Sequence, residues 1–224
     1  MEDFSNIINW DSVDNQSNSF KNQTPFRFAF IEDFFEREFY EKLFETYPKI
    51  DETWTLGETS TKTQFIKFWN GLGPNDVVVH DDDPQYSEEW NKFKRYVQSE
   101  EFVEKIRKFS GVPVNKLKFF QFMSYTKGGF QEPHIHNVGP STLIFMVYLS
   151  KNWVKGSPGG TYMASDVDES SIIFEPYNLD NSVAVFQDGP KAAHGIRLIT
   201  KDVERRALQI TFEGHSTDKG WTGE

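Results

Sequence analysis

The order of apolar and polar positions divides the chain into three stretches. Residues 1–25 are polar, acidic and rich in Asn and Ser, which predicts a flexible arm. From Pro25 the character changes. Residues 26–31 are a short apolar run that predicts a strand, and 32–47 predict a helix. Phe35, Phe39, Leu43 and Tyr47 recur at four-residue steps, and Pro48 ends the series. Residues 50–86 carry breakers at Gly57, Gly71, Gly73, Pro74 and Pro84. They predict a long irregular loop, of a length common in lids over a site, with Trp54, Phe68 and Trp69 as lid aromatics. Ser87 predicts a cap for a helix in which Trp90, Phe93 and Val97 share a face. Val103, Ile106 and Phe109 repeat the pattern, so a helix or helix pair extends to about Ser110.

Beyond residue 112 the pattern becomes strand-like. Short runs at 118–125, 142–150, 160–164, 171–174, 183–187, 195–199 and 206–213 are separated by Gly, Pro, Asn and Asp. Helices followed by such strands predict an α+β, mainly β fold, with a helix layer supporting a β-sandwich or barrel. A single domain over 26–213 and a flexible tail over 214–224 complete the expected organisation.

Composition narrows the function classes. The chain has 224 residues and a formal charge of −10, a poor balance for binding nucleic acid or an anionic membrane. No apolar run approaches the length of a membrane span, and no signal-like pattern opens the chain. The expectation is a soluble, cytoplasmic protein. The 22 Phe must carry much of the core. There is no Cys, which excludes disulfides, thiolate metal sites and thiol nucleophiles. A metal would therefore rest on nitrogen and oxygen donors.

The five His then become the candidate chemistry. His134 and His136 stand at i and i+2, so on a strand both imidazoles face one side. His194 lies in another β region, and three imidazoles from two strands suit iron, zinc, copper or nickel. His80 and His215 fall in the predicted loop and tail and read as ordinary surface residues, as does the acidic run at 80–83.

The surroundings carry a resemblance. Tyr125-Thr126-Lys127-Gly128-Gly129 leads into Pro133-His134-Ile135-His136-Asn137. A buried strand ending in Val147-Tyr148-Leu149-Ser150 follows, then Trp153, Gly159-Gly160-Thr161, His194-Gly195 and 205–212. This order over about 117–213, with 26–47 as its start, resembles the iron(II)- and 2-oxoglutarate-dependent oxygenases, particularly the prolyl-hydroxylase-like branch. The resemblance implies a double-stranded β-helix, a jelly-roll or cupin-like barrel, with supporting N-terminal helices. It implies iron(II) held by His134, His136 and His194, and no catalytic side chain beyond these ligands. It implies 2-oxoglutarate anchored by Arg205 and Tyr148 with Tyr125 nearby, molecular oxygen as co-substrate, and ascorbate as a further cofactor. Decarboxylation to succinate would accompany hydroxylation of a prolyl or peptide side chain, or of a small amino-acid-like metabolite.

Strand alternation agrees with the anchor. Arg205, Ala207, Gln209 and Thr211 share one small and polar face, while Arg206, Leu208, Ile210 and Phe212 share a mainly apolar one. Arg206 takes the anchor role if the register slips. Thr142, Ile144, Met146 and Tyr148 share a face, as do Gln121, Met123 and Tyr125. Arginine suits a carboxylate because its planar fork binds both oxygens.

One position departs from the family pattern, which is His-x-Asp or His-x-Glu with a distal His. Here the carboxylate position is His136. Three readings follow: an active iron site of three His; a carboxylate supplied by Glu132 or Asp188; or another metal such as zinc, or a non-catalytic binding protein on the same barrel. The Gly128-x5-His134-x-His136 spacing also echoes cupins, but Pro140 and Ser141 stand where their Glu belongs.

Overall fold

The computed structural model describes residues 2–69, 82–157 and 159–214. Two short helices, α1 (Trp10–Asn15) and α2 (Ser17–Asn22), precede strand β1 (Phe28–Glu32) and helix α3 (Arg37–Glu45). A hairpin of β2 (Thr55–Thr59) and β3 (Lys62–Phe68) leads to helices α4 (Glu88–Gln98) and α5 (Glu100–Ser110). Eight strands follow: β4 (Lys116–Tyr125), β5 (Phe130–His134), β6 (Thr142–Leu149), β7 (Tyr162–Ala164), β8 (Ile172–Phe174), β9 (Asp180–Gln187), β10 (Ala193–Ile196) and β11 (Arg205–Glu213).

The strands form one antiparallel sheet in the order β1-β9-β6-β11-β4-β3-β5-β10-β7-β8, with β2 on β3. It curls until its ends meet through side chains. Phe174 of β8 packs against Phe28 and Phe30 of β1, with ring centroids 5.6 and 5.7 Å apart. The result is a double-stranded β-helix.

Alternation sorts the side chains between two cores. Leu208, Ile210 and Phe212 of β11 join the large outer core beneath the helices, with Trp90, Phe93, Phe120 and Phe122. Trp90 meets Phe122 edge-on at 4.9 Å. Each such side chain contributes about 1.5–3 kcal/mol by leaving water. The opposite faces of the same strands place Ala207, Met123, Tyr125, Ile144, Met146 and Tyr148 inside the barrel. The hydroxyl of Tyr47, just past α3, reaches the carbonyl oxygens of Met123 and Ala207 at 2.9 and 2.8 Å, joining the helix layer to β4 and β11.

Several local boundaries have visible causes. Ser87 caps α4 by accepting from the Trp90 N–H, and Ser99 caps α5 by accepting from the Phe102 N–H. The second cap divides the helical stretch in two. α3 starts at Arg37 rather than at 32 because the preceding backbone is engaged elsewhere. Phe34 N–H donates to Asn181 O, Phe35 N–H to Asn181 Oδ1 and Glu36 N–H to Ile7 O.

Two expectations are corrected. The stretch 1–25, expected as a flexible arm, carries α1 and α2 and buries Ile7, Ile8, Val13 and Phe20. Phe20 packs on Phe109 at 5.0 Å, and Trp10 donates to the Tyr96 hydroxyl. Four apolar anchors among Asn and Ser were too sparse to read as helices, yet the α4–α5 surface receives them. The span 50–86, expected as an irregular lid, contains β2 and β3, and β3 pairs with β4 and β5. Trp54 and Trp69 are buried in the outer core, so they cover no site. Phe68 does face the cavity. Asp82, from the acidic run, pairs with Arg95. Gly71, Gly73, Pro74 and His80 in 70–81, and His215 with the tail over 215–224, lie outside the described residues.

Candidate metal centre

β5 and β10 pair so that His134 stands directly opposite His194. His136 lies two residues beyond the end of β5, so the strand geometry expected for the His134–His136 pair holds only for His134. The three rings nevertheless converge. Their centroids are 4.3–4.9 Å apart, and the Nε2 atoms of His134 and His136 are 3.1 Å apart. One nitrogen from each ring lies within 4.8 Å of the others.

The backbone fixes which nitrogen faces inward. His134 Nδ1 is 3.0 Å from Glu132 O, and His194 Nδ1 is 3.0 Å from Ala192 O. A carbonyl only accepts, so each Nδ1 carries the proton and each Nε2 presents a lone pair. Burial, the leading cause, lowers all three imidazole pKa values, that of His194 well below the usual 6.5. Neutral imidazoles are the form that binds metal. Phe186 lies 4.6 Å from the His194 ring. Gly195 leaves room for Tyr162, whose hydroxyl would stand 2.3 Å from a Cβ at that position.

The His lie on the wall of a cavity of about 450 Å³. Gln121, Met123, Thr142, Ile144, Met146, Gln209 and Thr211 line it, in the alternation expected for β4, β6 and β11. Neither proposed carboxylate joins the imidazoles: the group of metal-capable side chains among the described residues is the three His alone. The side chain of Glu132 is exposed, and Asp188 Oδ2 instead accepts from the N–H groups of Val138 and Gly139.

Arg205 is completely buried. Its guanidinium stands over the rings of Tyr125 and Tyr148 at 4.9 and 5.2 Å, and Nη2 donates to Thr161 Oγ1 at 3.0 Å. Among the described residues no carboxylate pairs with it, and Nε and Nη1 have no partner. A buried cation in that condition is costly, and the two aromatic faces offset only part of the cost. Burial pushes the Tyr148 and Tyr125 hydroxyls up, so both are neutral donors near pH 7. Arg206, the fallback anchor, points the other way and pairs with Glu204.

Three side chains that sequence reasoning missed join Arg205 and Tyr125 to the cavity. Thr161 lines the cavity and meets Arg205, while its N–H donates to the Tyr148 hydroxyl. Gln64 and Gln131 also line it, and both accept from the Tyr125 hydroxyl. Arg205, Tyr125 and Tyr148 thus form a layer behind the wall. Thr161 was part of the resemblance and of the run at 160–164 but had no role assigned to it, and Gln64 sits in the unrecognised β3.

Comparison with known proteins follows the same fold. No family model matches the sequence, and no curated protein matches it. Solved structures do. A prolyl-4-hydroxylase from Pseudomonas putida superposes with a TM-score of 0.59 at 14% identity, covering 92% of this chain and 98% of its own. A prolyl hydroxylase from Trichoplax adhaerens, solved with a hypoxia inducible factor peptide fragment, gives 0.62 at 14% identity, covering 92% and 89%. A 2OG-Fe(II) oxygenase family protein from Burkholderia pseudomallei gives 0.61 at 11% identity, covering 92% and 91%. The chain shares their fold.

Proposed function

We propose that the chain is an iron(II)- and 2-oxoglutarate-dependent dioxygenase of the prolyl-hydroxylase type. The observation that carries this reading is the convergence of His134, His136 and His194 on one cavity wall of a fold shared with such enzymes. The donor set fits the metal: three neutral imidazoles, with the Nε2 lone pairs of His134 and His194 turned inward, suit iron(II). Bound there, iron(II) supplies the oxygen activation that couples decarboxylation of 2-oxoglutarate to hydroxylation of a substrate C–H bond.

The chain's own residues do the rest. Arg205 receives the distal carboxylate of 2-oxoglutarate in the low-dielectric layer behind Thr161, where a charge-assisted pair is strong. The Tyr148 hydroxyl lies beside it as a neutral donor. A ligand carboxylate satisfies Nε and Nη1, which have no partner in the protein. The apolar wall of Ile66, Met123, Ile144, Met146 and Phe186 borders the site, where His194 is buried and His136 is exposed. With no carboxylate ligand the metal centre keeps a formal charge of +2 rather than +1, which strengthens its attraction for the anionic co-substrate.

The peptide bound to the Trichoplax neighbour supports a prolyl or other peptide side chain as first substrate class, with small amino-acid-like metabolites second. The test is metal content followed by succinate release from 2-oxoglutarate with iron(II) and oxygen, with and without ascorbate. Iron uptake with succinate release is expected. The three-His set also suits zinc, and zinc uptake without succinate would favour a binding or hydrolytic role. Absence of any metal binding would sink both.

A further inference from the structure

His136 lies outside the ladder that holds the other two imidazoles. β5 ends at His134, and the backbone turns through Asn137 at φ +50°. A ligand on a free loop must lose conformational entropy on each binding event, so the loop needs its own support. Asp188, the first residue past β9, supplies it. Its Oδ2 accepts from Val138 N–H and from Gly139 N–H, the second at 3.2 Å. Its own N–H donates to Thr142 O at 3.0 Å, which fastens it to β6. The neighbouring Gln187 donates from Nε2 to Pro140 O. The end of β9 thus grips three consecutive residues of the loop that carries His136.

The carboxylate is an unusual choice for a loop clamp. Asp188 is 3% exposed, and its Oδ1 has no hydrogen-bond partner. Burying a carboxylate is costly, and a neutral side chain would serve as an acceptor at lower cost. Two charge-assisted hydrogen bonds from the loop amides offset part of that cost.

We propose that Asp188 is the positioning residue for the third imidazole: by holding the Val138 and Gly139 amides it presents His136 to the metal that His134 and His194 meet from the sheet. The inference rests on the metal-site reading above. Asp188 acts through the loop and is not itself a ligand.

Cobalt(II) titration of the metal-free full chain, followed by visible absorption, tests it. Asp188→Ala is expected to weaken cobalt binding about 10–100-fold, as loss of an outer partner does. Asp188→Asn keeps an oxygen in place for both amides and is expected to recover most of that loss. Asp188→Glu keeps the charge but moves the oxygens, and is expected to bind more weakly than Asp188→Asn; the reverse order overturns the proposal. In a His136→Ala background, Asp188→Ala should add no further loss, and an equal added loss overturns it too. Folded Asp188→Ala with unchanged cobalt affinity does the same. Amide exchange at Val138 and Gly139 reads the clamp without metal, and faster exchange in Asp188→Ala is expected. Wild type that takes up no cobalt at all would instead remove the metal-site reading, whatever the exchange shows.

Discussion

The Nε2 atoms of His134 and His136 stand 3.1 Å apart, although only His134 belongs to a strand. The pair therefore owes its geometry to a strand end and a supported loop together. Two side chains with different supports respond differently to mutation, which makes the site testable residue by residue.

His136→Ala should lower cobalt or iron(II) affinity by more than the 10–100-fold typical of an outer partner. His136→Asp should retain metal but bind 2-oxoglutarate more weakly, since the centre falls from a formal +2 to +1. Isothermal titration with metal and then with 2-oxoglutarate separates the two effects. Unchanged metal affinity in His136→Ala would show that His136 is not a ligand.

The anchor role proposed for Arg205 can be separated from its effect on stability. Arg205→Met replaces a buried cation lacking a carboxylate partner with an apolar chain of similar length. Such replacements are neutral or stabilising by about 1–4 kcal/mol. The variant should keep or raise its urea midpoint while losing 2-oxoglutarate binding. Retained 2-oxoglutarate affinity would refute the anchor.

Trp69 behaves as core, not as lid. It stacks on Tyr86 at 3.9 Å and meets Phe120 at 5.4 Å. Trp69→Ala should cost about 3–5 kcal/mol in urea unfolding, with cobalt affinity of the folded fraction unchanged. A lid residue would show the opposite pattern.

Glu32 gives the acid limb of stability a local source. Burial pushes its carboxyl up, but hydrogen bonds from Asn178, Lys155 and Tyr177 outweigh burial and hold it below the usual 4.5. A depressed carboxyl stabilises the fold above 4.5, and that contribution is lost as pH falls through the lower folded value. Thermal melts of Glu32→Gln should therefore show a smaller loss of stability on acidification than wild type. An identical pH dependence would show that Glu32 contributes nothing there.

Much of the barrel was legible because inner and outer faces alternate along each strand. β11 reads directly as a polar set toward the cavity and an apolar set toward the helices, and it folds that way. β3 did not read as a strand, because Lys62, Gln64, Thr63 and Lys67 blur the contrast between its faces. Its pairing with β4 and β5 depends on partners more than fifty residues away.

By itself, the sequence determined the donor chemistry: with no Cys, only nitrogen and oxygen ligands are available, and the i, i+2 spacing of His134 and His136 pairs two of them. It also determined the face that carries Arg205. Tertiary structure alone decided the rest. It brought His136 to the other two rings from beyond a strand, set Thr161 against Arg205 and Gln64 and Gln131 against Tyr125, and turned Asp188 from a candidate ligand into a loop support. The physical reason is range. Alternation is written in neighbouring residues, whereas each of these contacts is set by where distant strands end and which buried polar groups must then satisfy one another.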